Sequence, residues 1–376
     1  MIPRSLTANL SRYLGRPEVL ILYGARQVGK STLLSSLAKE FSLNIVNCEK
    51  PAIQRVLQSK DINSIRRMVD DHSILALDEA QKVEDIGPIL KLLYDDPAFK
   101  HKIIATGSSS FVLSNKINEP LTGRNLKLQL FPLTLFELQN HFGTQWTYEH
   151  LNQLLIYGSY PAIVTSDQNF KVDLLQNIAG DYLFQDILLF ENVRNPRILL
   201  RLLQALALQI GSEVSLPELG STLGLTAPTV QRYLDLLEHT FVIFSLPAFS
   251  RNLRNELKKS RKYYFYDLGI RNALLNNFSP LELRSDVGGL WENFCVSERK
   301  KMAAHAGKKI NTYFWRTYDQ AEIDLVEEVD GRLSIFEFKF NPKKRIKFPK
   351  SFLDTYSVST SSVIHRDNFL ELISAR

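Results

Sequence analysis

The sequence predicts an α/β chain of several domains, a parallel-sheet core followed by smaller domains, and three observations carry that reading. A buried strand pattern, a glycine-bearing loop and a helical pattern follow one another near residue 20. Two short helical patterns and a pair of strand patterns occupy residues 213–268. Three strand patterns around a hairpin turn crowd into residues 313–338. At 376 residues the chain also exceeds the length of roughly 250–300 at which a single core stops growing.

The first element is the most specific. "PEVLILYG" reads as a short buried strand, "GARQVGKS" as a loop, and "STLLSSLAKEF" as a helix with Leu33, Leu34 and Leu37 on one face. Gly24, Gly29, Lys30 and Ser31 meet the pattern G-x-x-x-x-G-K-[ST] in strand–loop–helix context. Glycines let backbone N–H groups curl around phosphate oxygens, and the helix N-terminus adds positive potential. Lys30 is expected to reach the β- and γ-phosphates and Ser31 to ligate magnesium. The loop Gly24, Ala25, Arg26, Gln27, Val28, Gly29, Lys30, Ser31 and Thr32 is thus the expected cradle for ATP with Mg2+.

Two further strand ends fit a hydrolytic site. "HSILALDEAQKV" is a buried strand, Ile74 to Leu77, that delivers Asp78 and Glu79 at its carboxyl end. Asp78 is placed to hold the magnesium through water, and Glu79 to orient or deprotonate an attacking water. "HKIIATGSSS" ends in a polar cluster where Ser108 or Thr106 would sense the γ-phosphate, while Ser109 and Ser110 equally suit a helix cap. Arg124, in "LTGR", is either a finger for a neighbouring subunit's γ-phosphate or a surface ion pair.

The segments "GARQVGKST", "LALDEAQ", "TGSSS" and "LTGR" with "LFPLTLFEL" resemble a widespread prokaryotic family of AAA-type ATPases whose C-terminal domain has no assigned function. The resemblance covers nearly the whole chain. It implies that "YGSYPAIV" (157–164) and "DYLFQDI" (181–187) link the ATPase core to the C-terminal half. It also implies sites shared between subunits, hence a ring or other homo-oligomer, and favours Arg124 as a finger. Ser31 stands where the family more often has threonine, a chemically conservative departure.

In the middle of the chain, Ser215 and Glu218 have capping-box spacing, Pro217 suits a first helical turn and Gly224 marks a turn. Thr226 caps a second helix with Val230, Leu234 and Leu237 at helical spacing, and "TFVIFSL" and "KYYFYDLG" follow as strands. This order is that of a winged helix-turn-helix. Gln231 and Arg232 offer little for base readout, whereas the wing "RNLRNELKKSRK" carries Arg251, Arg254, Lys258, Lys259, Arg261 and Lys262 against Glu256 alone. Such a wing contacts DNA phosphates, or else serves as a solvated face of a structural module.

The last third adds chemistry and charge. Tyr313 to Trp315, Ile323 to Val326 and Leu333 to Phe338 read as strands, with Asp330-Gly331 as a hairpin turn. Asp324, Glu337 and Lys339 have the Asp-x12-Glu-x-Lys spacing of a PD-(D/E)xK nuclease core, in which two carboxylates bind Mg2+ and the lysine steadies the attacking water. Glu292 resembles the additional acid that some members of that superfamily use. Residues 1–250 carry 23 Lys+Arg and 24 Asp+Glu, net −1, whereas residues 251–376 carry 23 against 16, net +7. The basic excess thus lies wholly in the C-terminal third, as a nucleic-acid-facing end would show, or else as a solvated surface would.

The remaining composition is that of an ordinary globular protein. No apolar run reaches the ~18 residues of a membrane span and no secretory segment opens the chain, so a cytoplasmic protein that makes no use of membranes is expected. Cys48 and Cys295 show no metal-ligand spacing and read as small buried hydrophobes.

The expected architecture is an AAA-type P-loop NTPase core (1–145), a helical linker or lid (146–205), a winged helix (206–275) and a PD-(D/E)xK nuclease-like α/β domain (276–376). The leading functional expectation is an oligomeric ATPase that translocates on or remodels DNA, recognising its structure rather than its sequence. An ATP-gated, magnesium-dependent nuclease and an ATPase switch controlling a protein partner are the alternatives.

Overall fold

The computed structural model describes residues 1–69, 71–108, 121–181, 196–250, 261–307, 309–317, 320–344 and 346–374. The first sheet has five strands, β1 (Val19–Tyr23), β2 (Leu43–Asn47), β3 (Ile74–Asp78), β4 (Lys102–Gly107) and β5 (Asn125–Gln129), in the order β2-β3-β4-β1-β5. Every pairing is parallel. The apolar runs of β1 and β3 are buried almost throughout, as strands covered on both faces require. Ile21, Leu75, Leu77 and Ala105 pack with Leu57, Ile65 and Leu90 from outside the sheet, each large apolar side chain contributing about 1.5–3 kcal/mol on full burial. The helix Lys30–Leu37 buries Leu33, Leu34 and Leu37, the face that the sequence spacing predicts.

Parallel pairing has one functional result. The ends of β1, β3 and β4 all emerge at the same edge of the sheet, where ligands of open α/β sheets sit. Because β4 lies between β1 and β3, residues after β4 are flanked by the glycine loop on one side and Asp78–Glu79 on the other.

Met1–Leu133 and His239–Phe241 belong to one compact unit, and the other described residues from Thr134 onward form a second. In the second unit, the helix Leu135–Phe142 opens with a capping box: the Thr134 hydroxyl accepts the Glu137 N–H at 3.2 Å, and Glu137 accepts the Thr134 N–H at 2.9 Å. Further along come the helix Pro196–Leu208, β6 (Glu213–Val214), the helices Leu216–Leu223 and Ala227–His239, β7 (Ile243–Pro247) and β8 (Arg261–Phe265). The three strands form an antiparallel sheet in the order β6-β8-β7. Ser215 caps its helix by accepting the Glu218 N–H at 3.4 Å, and Gly224 closes it with φ of 67°.

The chain then builds the helix Val287–His305, β9 (Asn311–Arg316), β10 (Glu322–Val329), β11 (Arg332–Phe338), the helix Lys350–Thr355 and β12 (Val358–Ile364). The sheet order is β12-β11-β10-β9; β9, β10 and β11 are antiparallel and β12 runs parallel to β11. Asp330 and Gly331 both take positive φ, 49° and 77°, as the tight hairpin turn requires. Ile323 faces Trp315 but Val326 faces Tyr313, so β10 carries one extra residue at Asp324–Leu325. Such bulges re-aim side chains. Trp315, Ile323, Val326, Leu333, Ile335 and Phe352 form the core of this sheet. Among the described residues no helix is long and apolar enough to cross a membrane.

A buried ion group ties the second unit together. Arg271, 1% exposed, donates to Asp286 at 2.6 Å and to the Ala207 carbonyl at 2.9 Å, while Arg284 bonds both Asp286 oxygens at 2.8 Å. Burial disfavours the Asp286 charge, but the hydrogen bonds from Arg284 and Arg271 outweigh it and bring the carboxyl down to about 2. The stabilisation is therefore complete above the ordinary value of 3.8 and is lost as pH falls through about 2. Asp286→Asn is expected to cost roughly 1–3 kcal/mol at neutral pH, allowing for screening at its solvent side. In urea titrations this deficit should narrow only between roughly pH 4 and pH 2.

Candidate functional site

The glycine loop is shaped by close backbone approach. A Cβ on Gly24 would collide with the carbonyl oxygen of Leu130, which follows β5. Gly29, with φ of 96°, turns the chain into the helix Lys30–Leu37, and Gln27 holds a left-handed φ of 59°. Lys30 is buried and its ammonium donates to the Gly24 and Ala25 carbonyls, 3.0 Å each. Ser31 and Thr32 are exposed at the first turn of that helix. This geometry fits ATP: a crevice that only glycine leaves open, a lysine already seated in the loop, and a helix N-terminus carrying an exposed hydroxyl. With the nucleotide bound, Ser31 and Asp78 are the candidate Mg2+ ligands and Lys30 the candidate phosphate contact.

Arg4 holds this loop from outside, a contact that nothing in the sequence announces. Its guanidinium donates to the Val28 carbonyl in the loop and to the Phe131 carbonyl beyond β5, each at 2.6 Å. An arginine at position 4 carries no motif; only the fold brings it to the loop.

At the same sheet edge the acidic pair is organised by β4. The buried Thr106 hydroxyl donates to Asp78 at 2.5 Å and accepts the Glu79 N–H at 3.2 Å. Glu79 sits at φ 53°, a left-handed conformation that is strained for a non-glycine residue. The Gln81 amide donates to the Glu79 carboxylate at 2.5 Å and reaches the Ser108 hydroxyl at 3.5 Å. The structure therefore brings together Asp78, Glu79, Thr106 and Ser108, and adds Gln81, which belongs to no motif in the sequence. Burial, reinforced by the charges of Asp78 and Glu79, pushes the nearby Cys48 thiol up to about 12 and leaves it unreactive. Cys48 and Cys295 are both buried.

Arg124 lies elsewhere. It precedes β5, so it stands at the amino edge of the sheet, about 15 Å of strand from the loop edge. Its Nε pairs with Asp95 of the same chain at 2.8 Å, and both side chains are partly exposed. Ser109 and Ser110, the alternative cap, lie outside the described residues.

The second group of expected residues also converges. The Lys339 ammonium bridges Asp324 at 3.1 Å and Glu337 at 3.0 Å, and Asp324 accepts the Phe338 N–H at 2.7 Å. Burial and the Asp324 charge push the Glu337 carboxyl up to about 7. Glu292 reaches the same region from the helix Val287–His305, and burial raises its carboxyl against the pull of Lys262. Among the described residues, however, no group of three or more His, Cys, Asp or Glu side chains is placed to hold a metal ion.

The basic wing needs one correction. Lys262 was expected to face DNA, but it is only 1% exposed and pairs with Glu292 at 2.9 Å and Glu322 at 2.5 Å. Strand alternation puts Lys262 on the face of β8 that carries Tyr264, where both meet Glu292, whereas Arg261 stands at the exposed start of the strand and donates to Ser245 at 3.3 Å. Arg251, Arg254, Lys258 and Lys259 lie outside the described residues.

Three stretches of the chain match known domain families. Residues 16–139 match the AAA domain family, and residues 148–281 and 287–371 match two domains of unknown function, DUF8612 and DUF4143. The chain is 28% identical over 340 residues to an uncharacterized protein of Mycobacterium tuberculosis, a match covering 89% of this chain and 73% of that one. It is 26% identical over 275 residues to an uncharacterized protein of Haemophilus influenzae, covering 67% and 68%. A Walker-type ATPase of Pyrococcus abyssi shares the fold with a TM-score of 0.53 at 18% identity, over 73% of this chain and 96% of that one. The fold and the loop thus define a P-loop NTPase core built on a parallel α/β sheet. The match to the AAA domain family covers residues 16–139, about a third of the chain.

Two substitutions test the loop. Gly24→Ala should abolish binding of a fluorescent ATP analogue while leaving the circular dichroism spectrum unchanged, because the new methyl group meets Leu130. Arg4→Met should raise the Kd for that analogue about tenfold, the loss of roughly 1.4 kcal/mol expected for charged hydrogen bonds to backbone carbonyls, with Arg4→Lys recovering part of it.

Proposed function

We propose that the protein is an oligomeric, Mg2+-dependent ATPase that uses its hydrolytic cycle to translocate on or remodel DNA. The observation that carries this reading is the charge division: net −1 over residues 1–250, which hold the ATPase core, and net +7 over residues 251–376. Magnesium ATP supplies the phosphoanhydride. Lys30 exchanges the Gly24 and Ala25 carbonyls for phosphate oxygens, Ser31 and Asp78 hold the metal, and Glu79 takes the proton of the attacking water. Ser108, linked to Glu79 through Gln81, reads the γ-phosphate position. Arg124 exchanges Asp95 for the γ-phosphate of a neighbouring copy, which makes hydrolysis depend on assembly.

The domain reading follows the sequence: core to residue 145, helical linker or lid to 205, winged helix to 275, then a PD-(D/E)xK nuclease-like domain. Support for the third is its order of helix, short strand, helix, turn, helix and strand pair; support for the fourth is its order of helix, three antiparallel strands, helix and parallel strand. Arg261 and the wing residues Arg251, Arg254, Lys258 and Lys259 are the proposed phosphate contacts. In the second helix Gln231 donates to Asp235 at 2.7 Å, within its own helix, which favours recognition of DNA structure over sequence.

The test is fluorescence anisotropy on labelled duplex, forked and four-way-junction DNA at stepped salt, with ATP hydrolysis followed in parallel. Binding should weaken with a log–log salt slope of about −4 if four or five phosphates are neutralised. DNA should accelerate hydrolysis, and Lys30→Ala and Glu79→Gln should remove it. No binding at low salt would overturn the DNA reading and favour a switch acting on a protein partner.

A further inference from the structure

In the carboxylate cluster of the C-terminal unit, each acid already has a cation or a donor. Glu292 Oε1 accepts the Lys262 ammonium at 2.9 Å and the Tyr264 hydroxyl at 2.6 Å. Glu322 Oε1 lies 2.5 Å from the same ammonium, and its other oxygen is 4.0 Å from Arg316. Asp324 and Glu337 share Lys339, and Asp324 also accepts a backbone N–H. A buried ammonium needs acceptors for its three N–H groups, and carboxylates serve best. Lys262 meets that need in the place where the acids of the helix and of β10 converge, with the Phe314 ring 5.5 Å from its nitrogen.

Magnesium demands oxygens at about 2.1 Å in near-octahedral array and several waters. Here the oxygens close around two ammonium groups instead: Lys262 stands between Glu292 and Glu322, and Lys339 between Asp324 and Glu337. The metal that the nuclease-like pattern implies does not fit these residues.

We infer that Lys262 and Lys339 are the built-in cations of a metal-free ionic cluster rather than of a phosphodiester-cleaving centre: Lys262 locks β8 to the helix Val287–His305 and to β10 through Glu292 and Glu322, and Lys339 closes Asp324 against Glu337. The inference stands on this geometry alone and is independent of whether the protein binds DNA. It also separates the two lysines: Lys262 is sealed in, whereas Lys339 keeps a quarter of its surface exposed.

Mn2+ binding to the nucleotide-free full-length protein, followed by electron paramagnetic resonance of the free ion, tests it. The native protein and Asp324→Asn should bind the same number of Mn2+ ions. One ion more in the native protein, lost in Asp324→Asn, overturns the inference, as does Mg2+-dependent nicking of supercoiled DNA that Lys339→Ala abolishes. Lys262→Met, which keeps the bulk and removes the charge, should lower Tm by several degrees or prevent folding. A Tm equal to that of the native protein overturns the inference.

Discussion

The Thr106 hydroxyl is the hinge of the nucleotide site. It donates to Asp78 and accepts from the Glu79 backbone, so one side chain on β4 fixes two consecutive acids at the end of β3. The arrangement exists because β4 is inserted between β1 and β3. Glu79 in a left-handed conformation is the local cost, on the order of 1–3 kcal/mol, and the two Thr106 bonds and the Gln81 amide hold it there. Strain of this kind aims a carboxylate that an extended backbone would send elsewhere.

The glycine loop is constrained in the same spirit. Leu130 leaves room for hydrogen alone at Gly24, Arg4 grips Val28, and Lys30 rests on the loop's own carbonyls. The lysine is thereby kept within the loop, bound to acceptors weaker than phosphate oxygens. In the second unit, charge is managed differently. Arg271 with Asp286, and Lys262 with Glu292 and Glu322, are buried pairs that hold elements of that unit together.

Much of this was legible in the sequence, and the reasons are local. The P-loop pattern, the buried run before Asp78 and the Asp-Gly turn are each decided by contiguous residues, and the parallel core follows from them. The spacing of Asp324, Glu337 and Lys339 survived because strand parity converts it directly into proximity. The Thr134–Glu137 capping box was equally readable as T-x-x-E inside "PLTLFEL", though it went unread. What stayed hidden depends on long-range placement. Arg4 meets Phe131 across 127 positions, and Lys262 looked like one more charge in a basic run until β8 turned it inward. Tyr264, two residues on and buried, was the available signal. Arg124 is ambiguous for a different reason, since a sequence names a charge but not the edge of the sheet on which it stands.

The proposed hydrolysis depends on β4 holding the acidic pair through Thr106. Single-turnover ATP hydrolysis by Thr106→Val tests this most directly, because valine keeps the shape and removes only the hydroxyl. The account predicts nucleotide affinity within about twofold of native and hydrolysis slowed at least roughly tenfold. Hydrolysis at the native rate, with affinity unchanged, would contradict it.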